Sequence, residues 1–414
     1  VDTSSIFLSL LLGLLPLSVI AYFLAKKKTL ADKFKGQVFS STKESYGWYA
    51  VVWTLAPALI ASVLAAALQL AGLAKVPGTA LVATALVLAA GGLYVGLISV
   101  KPALRARQKV EKVIVRLLFL ASLVSILTTI GIVISVIFEA TKFFKVISIW
   151  DFLTGTTWNP GAAFLDSVGR GGEATAEPQF GSVPIFAGTF MITAIAMVVA
   201  LPIGLFSAIC MAEYASPRLR KWAKPTLEIL AGIPTVVYGF FAAITVSPMI
   251  VNLAESVGLQ ADFTNALSPG LVMGVMIIPL VSSLSDDVIN AVPNSLREGS
   301  LAMGAYRSEM IKTVVLPAAL PGIVSAFLLA VSRAVGETMI VVMAAGLRPN
   351  LTWNPLEGMT TVTVRIVNAL TGDKAFDSLE TLSAFGLGLV LLIFTLILNV
   401  ISLVVIRKFR QQYE

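Results

Sequence analysis

The chain has 414 residues, 57% hydrophobic and 13% charged, with a mean hydropathy of +0.90. Soluble domains of this length carry roughly 25% charged residues, so the composition excludes an ordinary soluble protein and points to a polytopic membrane protein. A single cysteine, Cys210, rules out an internal disulfide, and the absence of histidine removes the usual general base and the commonest transition-metal ligand, so no metal site, haem or metalloprotease centre is expected.

Taken in chain order, nine apolar runs have the length of about 20 residues that a helix needs to cross the hydrocarbon core. They lie near 5–25, 47–73, 78–99, 114–138, 187–212, 226–251, 268–288, 319–343 and 384–406. Barrel strands alternate over about 10 residues and lipid satisfies no backbone group, so the expected fold class is an all-α, polytopic transmembrane bundle. The first run, "SSIFLSLLLGLLPLSVIAYFLAKKK", carries its charges after the apolar stretch. A secretory signal carries them before it, so a retained span is expected, with a short leader ahead of Val1. Residues 1–110 read as an accessory region of three spans closed by the basic linker "KPALRARQKVEK", and 111–414 as a core of six.

Charge sets the orientation. With the N-terminus outside, the loops at 26–46, 100–113, 214–225 and 286–317, the tail after 406 and Arg116 hold 22 of the 30 Lys and Arg on the cytoplasmic side. The opposite loops hold seven, and Arg333 alone is left within a span. The positive-inside rule therefore predicts a periplasmic N-terminus and a cytoplasmic C-terminus. This topology accounts for the net charge of +7 without nucleic acid. The run "AKKKTLADKFK" is read as a juxtamembrane anchor to membrane lipids rather than a specific anionic-lipid site.

In the outside loop 139–186, Trp150, Phe152 and Trp158 are expected at the headgroup level, followed by the flexible connection "VGRGGEATAEPQFGSVP". The second long outside loop, 346–383, is similar in carrying Trp353 and Pro355. Both loops either meet an extracytoplasmic partner or simply cap the bundle. In "AGIPTVVYGF", Gly232 and Pro234 are expected to kink the sixth span or to break it, and Thr235 and Tyr238 to offer hydroxyls. The aspartates of "SSLSDD", Asp286 and Asp287, are expected in interfacial water at the end of the seventh span.

The stretch "VPNSLREGSLAMGAYRSEMIKTVVLPAALPG" at 292–322 predicts a short helix–turn–helix. Ser295 and Glu298 form a capping-box pattern and Gly304 ends the first helix in the left-handed conformation. Ser308 caps a second helix carrying Met310, Ile311, Val314 and Val315, which Pro317 ends. Its apolar faces and its charges Arg297, Arg307, Glu309 and Lys312 suit either docking into a partner's groove or covering the end of the bundle.

"SRAVGETM" at 332–339 puts Arg333 near the middle of its span, about 20 Å from the start. An uncompensated charge there costs at least about 2.5–3.5 kcal/mol, and Glu337, one turn on, is the expected partner. The pair is either a structural bridge or the lining of a polar route through the bundle, where a guanidinium offers a planar fork of donors.

Glu298, Gly304, Val314, Leu316 and Pro317 match the spacing E-A-A-x3-G-x9-I-x-L-P, with Gly299 and Ser300 in place of the alanines. This resembles the coupling-helix motif of ABC importer permeases. "REGSLAMGAYRSEMIKTVVLPAALPGIVSAFLLAVSRAVGETM", "FAGTFMITAIAMVVALPIGLFSAICMAEYA" and "LEILAGIPTVVYGFF" resemble the PstC-type permeases of phosphate-specific importers, over about 114–406. The three N-terminal spans look like a long variant.

The resemblance implies a type I importer core with a coupling helix near 294–316. It also implies a sister permease in a heterodimer, two cytoplasmic ATP-binding subunits, a periplasmic phosphate-binding protein and location in the bacterial inner membrane. Arg333, Glu337, Thr235, Tyr238 and Pro234 would serve the path of inorganic phosphate; Glu298, Gly304, Arg307, Leu316 and Pro317 would serve coupling. No G-x-x-x-x-G-K-[ST] loop occurs in the chain, so ATP and Mg belong to partner subunits and no catalytic residue, metal or cofactor is expected here. Two alternatives remain: a permease for another anion, and a scaffold that reports phosphate status to a regulatory system. A lipid-modifying enzyme is disfavoured because no His-Asp or carboxylate cluster falls at one membrane depth.

Overall fold

A computed structural model describes residues 3–34, 39–70, 72, 77–160, 179–371 and 377–410. Among them, nine helical runs are long and apolar enough to cross a membrane, as the hydropathy predicts. The fold is all-α apart from a two-residue antiparallel ladder that pairs Trp158 with Phe180 and Asn159 with Gln179. Two compact units form, Val1–Gly131 and Ile132–Glu414. The long helix α4 (Ala106–Val146) contributes to both units and absorbs the second half of the linker.

In the first unit α1 (Thr3–Phe34), α2 (Lys43–Leu70) and α3 (Gly78–Ile98) pack pairwise. Lipid is as apolar as leucine, so contact between such helices rests on close backbone approach and dispersion. Small residues at the seams supply that approach: Ala21, Ala25, Ala50, Ala58, Ala85 and Ala89 are all buried. Lys28 Nζ donates to Leu97 O at 2.6 Å, in the last turn of α3, and Tyr46 Oη to Leu104 O at 2.6 Å.

The second unit opens on the end of α4 and the short α5 (Ile149–Thr154). Phe143, Phe152, Trp158 and Phe180 meet edge-to-face with centroids 5.4–6.4 Å apart. The expected headgroup aromatics therefore divide: Phe152 and Trp158 are buried core, and only Trp150 is exposed. Most of the "VGRGGEATAEPQFGSVP" stretch lies outside the described residues.

Next come α6 (Val183–Ile209), prolonged by a π turn at Cys210–Tyr214, and α7 (Pro217–Ala231). α8 (Thr235–Phe241) joins α9 (Ser247–Ser256) through a second π turn. α10 (Leu267–Ala291) is the central span, packed most extensively on α6. That seam is tight: a Cβ on Gly274 would stand 2.9 Å from Ala196 O, and one on Gly270 2.7 Å from the Ile195 side chain. The Gly270-x3-Gly274 spacing is the small-residue signature of closely packed membrane helices.

After α10 follow α11 (Asn294–Ala302), α12 (Arg307–Met310), a third π turn at Ile311–Val315 and α13 (Leu316–Val335). The short α14 (Met339–Ala344) packs on α8, α15 (Val362–Leu370) lies in what the sequence offered only as a loop, and α16 (Leu379–Arg410) closes the chain.

Candidate functional site

Two expected continuous spans are interrupted. The run 226–251 breaks rather than kinks: α7 ends at Ala231 and α8 starts at Thr235, with Pro234 as N-cap. Pro234 has no N–H to give Leu230 O, its helical acceptor. Tyr238 Oη donates to that carbonyl at 2.9 Å, so the tyrosine, expected to offer a free hydroxyl, seals the break instead. The run 319–343 likewise stops at Val335. Glu337 Oε1 accepts from Thr338 N at 3.2 Å and Met339 N at 3.1 Å, the amides that a continuing helix would donate to Ala334 and Val335.

The break removes the expected Arg333–Glu337 bridge, because Glu337 no longer sits one helical turn above Arg333. Among the described residues Arg333 makes no ion pair or side-chain hydrogen bond. It lies in the last turn of α13, beside the negative end of that helix dipole. Its side chain lines a cavity of about 230 Å³ with Met276, Pro279 and Ser283 of α10 and Lys224 and Glu228 of α7. These α10 residues form the middle third of a 25-residue span, so the guanidinium stands level with its centre. Thr235, Pro234, Tyr238 and Glu337 do not line this cavity.

One wall of the cavity is anchored by Asp286. Expected in interfacial water, this carboxylate is fully buried: Arg220 Nη2 donates to both oxygens at 3.1 and 3.0 Å, Lys224 Nζ at 3.3 Å and Asn290 Nδ2 at 2.8 Å. Asp287 stays exposed, at 3.5 Å from Lys224. Burial opposes the Lys224 charge, but the Asp286 and Asp287 carboxylates outweigh it and hold the ammonium pKa above its ordinary value of 10.5. Amphipathic α7, which buries no residue fully, is thereby fastened to α10 by charge.

At the far end of α10 the chain makes the expected turn, with a different chemistry at its ends. α11 begins at Pro293 without a side-chain cap, so the Ser295–Glu298 capping box does not form and Glu298 is exposed. Gly304 has φ +88°, which ends α11 as predicted. The following helix is capped at Tyr306, whose N–H donates to Glu309 Oε2 at 2.9 Å; Ser308 lies inside it. Pro317 does not end that helix. The π turn reshapes the hydrogen-bond ladder just before it, and Pro317 falls in the first turn of α13, where a missing N–H is tolerated.

Of the two readings left open for this helix, covering the end of the bundle describes Met310, Ile311 and Val315, which are buried with Ala208, Ile289 and Ala319, while Leu316 packs against them. The Arg307 guanidinium lies 5.3 Å from the centre of the Tyr214 ring. What projects from the turn is Met303, 90% exposed, and Tyr306, 78% exposed.

Residues 200–412 match the family described as binding-protein-dependent transport system inner membrane component. The probable ABC transporter permease protein YqgH of Bacillus subtilis is 32% identical over 292 residues, covering 70% of this chain and 89% of its own length. The chain belongs to this permease family. Phosphate transport system permease protein PstC 1 of Mycobacterium tuberculosis is 34% identical over 277 residues, 62% of this permease and 81% of the relative. The PstC of Mesorhizobium japonicum is 30% identical over 268 residues, 61% and 77% respectively.

The permease thus carries residues that sequence reasoning passed over. Glu213 is one, paired with Arg297, which the sequence offered only as a charge of the turn 84 positions away, and Lys224 and Glu228, which share the Arg333 cavity, are two more. The Gly270-x3-Gly274 seam was legible as a spacing. The pairings were not, because nothing local marks which of 30 Lys and Arg meets which carboxylate.

Proposed function

We propose that this permease is one translocation subunit of an ATP-driven importer of inorganic phosphate, paired with a sister permease in the inner membrane of a bacterium. The observation that carries the reading is Arg333, a guanidinium without an ion-pair partner among the described residues, facing a cavity level with the middle of α10. An ionisable side chain within a membrane span marks an ion's route by default, and a planar fork matches a tetrahedral oxyanion. The names of the PstC relatives support phosphate as the ion.

In this reading the N-terminus is periplasmic, the turn at Gly304 and the C-terminus are cytoplasmic, and a periplasmic phosphate-binding protein delivers the ion. Two ATP-binding subunits, which hold ATP and Mg, grip Met303, Tyr306, Glu298 and Arg307. Gly304 permits the turn, while Leu316 and Pro317 carry its motion into α13. Thr235 and Pro234, at the break between α7 and α8, and Glu337, at the end of α13, flank the route, whereas Tyr238 holds the break closed through Leu230 O.

Phosphate uptake by a reconstituted complex carrying Arg333→Gln tests the proposal. The expected result is lost uptake with normal assembly and normal ATP hydrolysis stimulated by the binding protein. Unchanged uptake would make Arg333 a structural charge.

A further inference from the structure

In the first unit, α2 and the start of α4 enclose a groove of about 520 Å³. Lys109, Lys112 and Arg116 follow one face of α4 at i, i+3 and i+7 and line it. Across from them the wall is apolar, from Tyr49 and Trp53 to Pro57 and Ile60 of α2. No carboxylate lines the groove, and none of the three cations makes an ion pair among the described residues. Glu111, the nearest acid in sequence, lies on the opposite face of α4. Lys109 Nζ stands 5.8 Å from the centre of the Tyr49 ring, which holds its ammonium at the mouth.

A site with three cations along one wall and an apolar trough along the other fits an amphiphile with an anionic head. The trough from Tyr49 to Ile60 runs about 16 Å along α2, about half the thickness of the hydrocarbon core and so the depth of one leaflet. We propose that this groove binds an anionic phospholipid from the leaflet next to the basic loops, its phosphate on Lys109, Lys112 and Arg116 and one acyl chain against Trp53, Pro57 and Ile60. Charge complementarity selects the occupant: a zwitterionic lipid places its own cation against the triad, and an apolar partner helix would leave all three cations unmatched.

Native mass spectrometry of the delipidated full-length chain, titrated with phosphatidylglycerol or with phosphatidylcholine of the same acyl chains, tests this. Each cation near an anionic headgroup contributes roughly a fivefold preference, so the wild type should favour phosphatidylglycerol on the order of a hundredfold. K109Q/K112Q/R116Q should abolish the preference, K109R/K112R/R116K should keep it, and R407Q/K408Q/R410Q, which removes the same charge near the C-terminus, should leave it intact. Ile60→Trp, which fills the trough and spares the cations, should lower retention of both lipids.

A retained preference in the K109Q/K112Q/R116Q variant overturns the assignment, as does an equal loss in the R407Q/K408Q/R410Q control or unchanged retention with Ile60→Trp. Displacement of phosphatidylglycerol by inorganic phosphate or glycerol 3-phosphate at equal concentration would make this a free-anion site and would also overturn it.

Discussion

Arg297 Nε donates to Glu213 Oε1 at 3.2 Å, joining α11 to the π turn that extends α6. The same guanidinium donates through Nη1 to Val292 O at 2.6 Å and through Nη2 to Ile289 O at 2.7 Å, carbonyls at the end of α10. One side chain thus ties the turn to two spans. The pair is almost dry, with 15% and 6% of the side chains exposed.

Arg297→Met should therefore destabilise the permease by about 3–5 kcal/mol, because it leaves Glu213 buried and unpaired. Glu213→Gln/Arg297→Met, which removes both charges, should recover much of the loss. Thermal unfolding of the two variants in detergent checks this, and equal melting temperatures would show that the pair is not coupled.

Stability should also depend on Lys224 at high pH. Its folded pKa is raised, so the contribution of the ammonium is fully present below the unfolded value of 10.5 and is lost as pH rises through the higher folded value. The difference in melting temperature between wild type and Lys224→Met should stay level to about that pH and shrink above it. A difference that widened with pH would contradict the assignment.

Gly304 holds φ +88°, which an L-residue adopts at a cost of about 1–2 kcal/mol and proline cannot adopt. On the proposed reading, Gly304→Ala should weaken the stimulation of ATP hydrolysis by substrate and Gly304→Pro should abolish it, with the complex still assembled. Normal stimulation in the proline variant would remove the turn from the coupling route.

Gly274→Val should separate α6 from α10, since Ala196 O cannot yield as a flexible side chain would. Overpacking of this kind costs about 1–3 kcal/mol. Gly299→Val serves as the control because nothing lies near its Cβ position. Similar melting temperatures for the two variants would argue against the seam.

Glu337→Gln keeps an oxygen to accept from Thr338 and Met339 and removes only the charge. On the proposed reading, a carboxylate flanking the route can accept a hydrogen bond from the proton that phosphate still carries near neutral pH and sulfate lacks. The variant should therefore retain its fold and lose preference for phosphate over sulfate in uptake competition. An unchanged preference would confine Glu337 to capping.

Much of this architecture is legible in the sequence because it follows from local free energies. Transfer of about 20 apolar residues into lipid is favourable wherever they occur, so the nine spans needed no tertiary information. Gly304 could be read as a helix end because a left-handed residue is a local requirement. The breaks before Thr235 and after Val335 were harder to see. Both fall inside runs apolar enough to span, and whether a proline kinks or breaks a helix depends on a remote donor such as the Tyr238 hydroxyl.

The sequence by itself determined the helical class, the number of spans, the turn between α11 and α12 and the resemblance that the family match bears out. Only the tertiary structure decided which charges meet. It buried Asp286 under Arg220 and Lys224, tied Arg297 to Glu213 and left Arg333 without Glu337. The physical reason is distance along the chain. Hydropathy and capping act over one or two helical turns, whereas an ion pair between residues 66 or 84 positions apart exists only once the helices that carry them have packed.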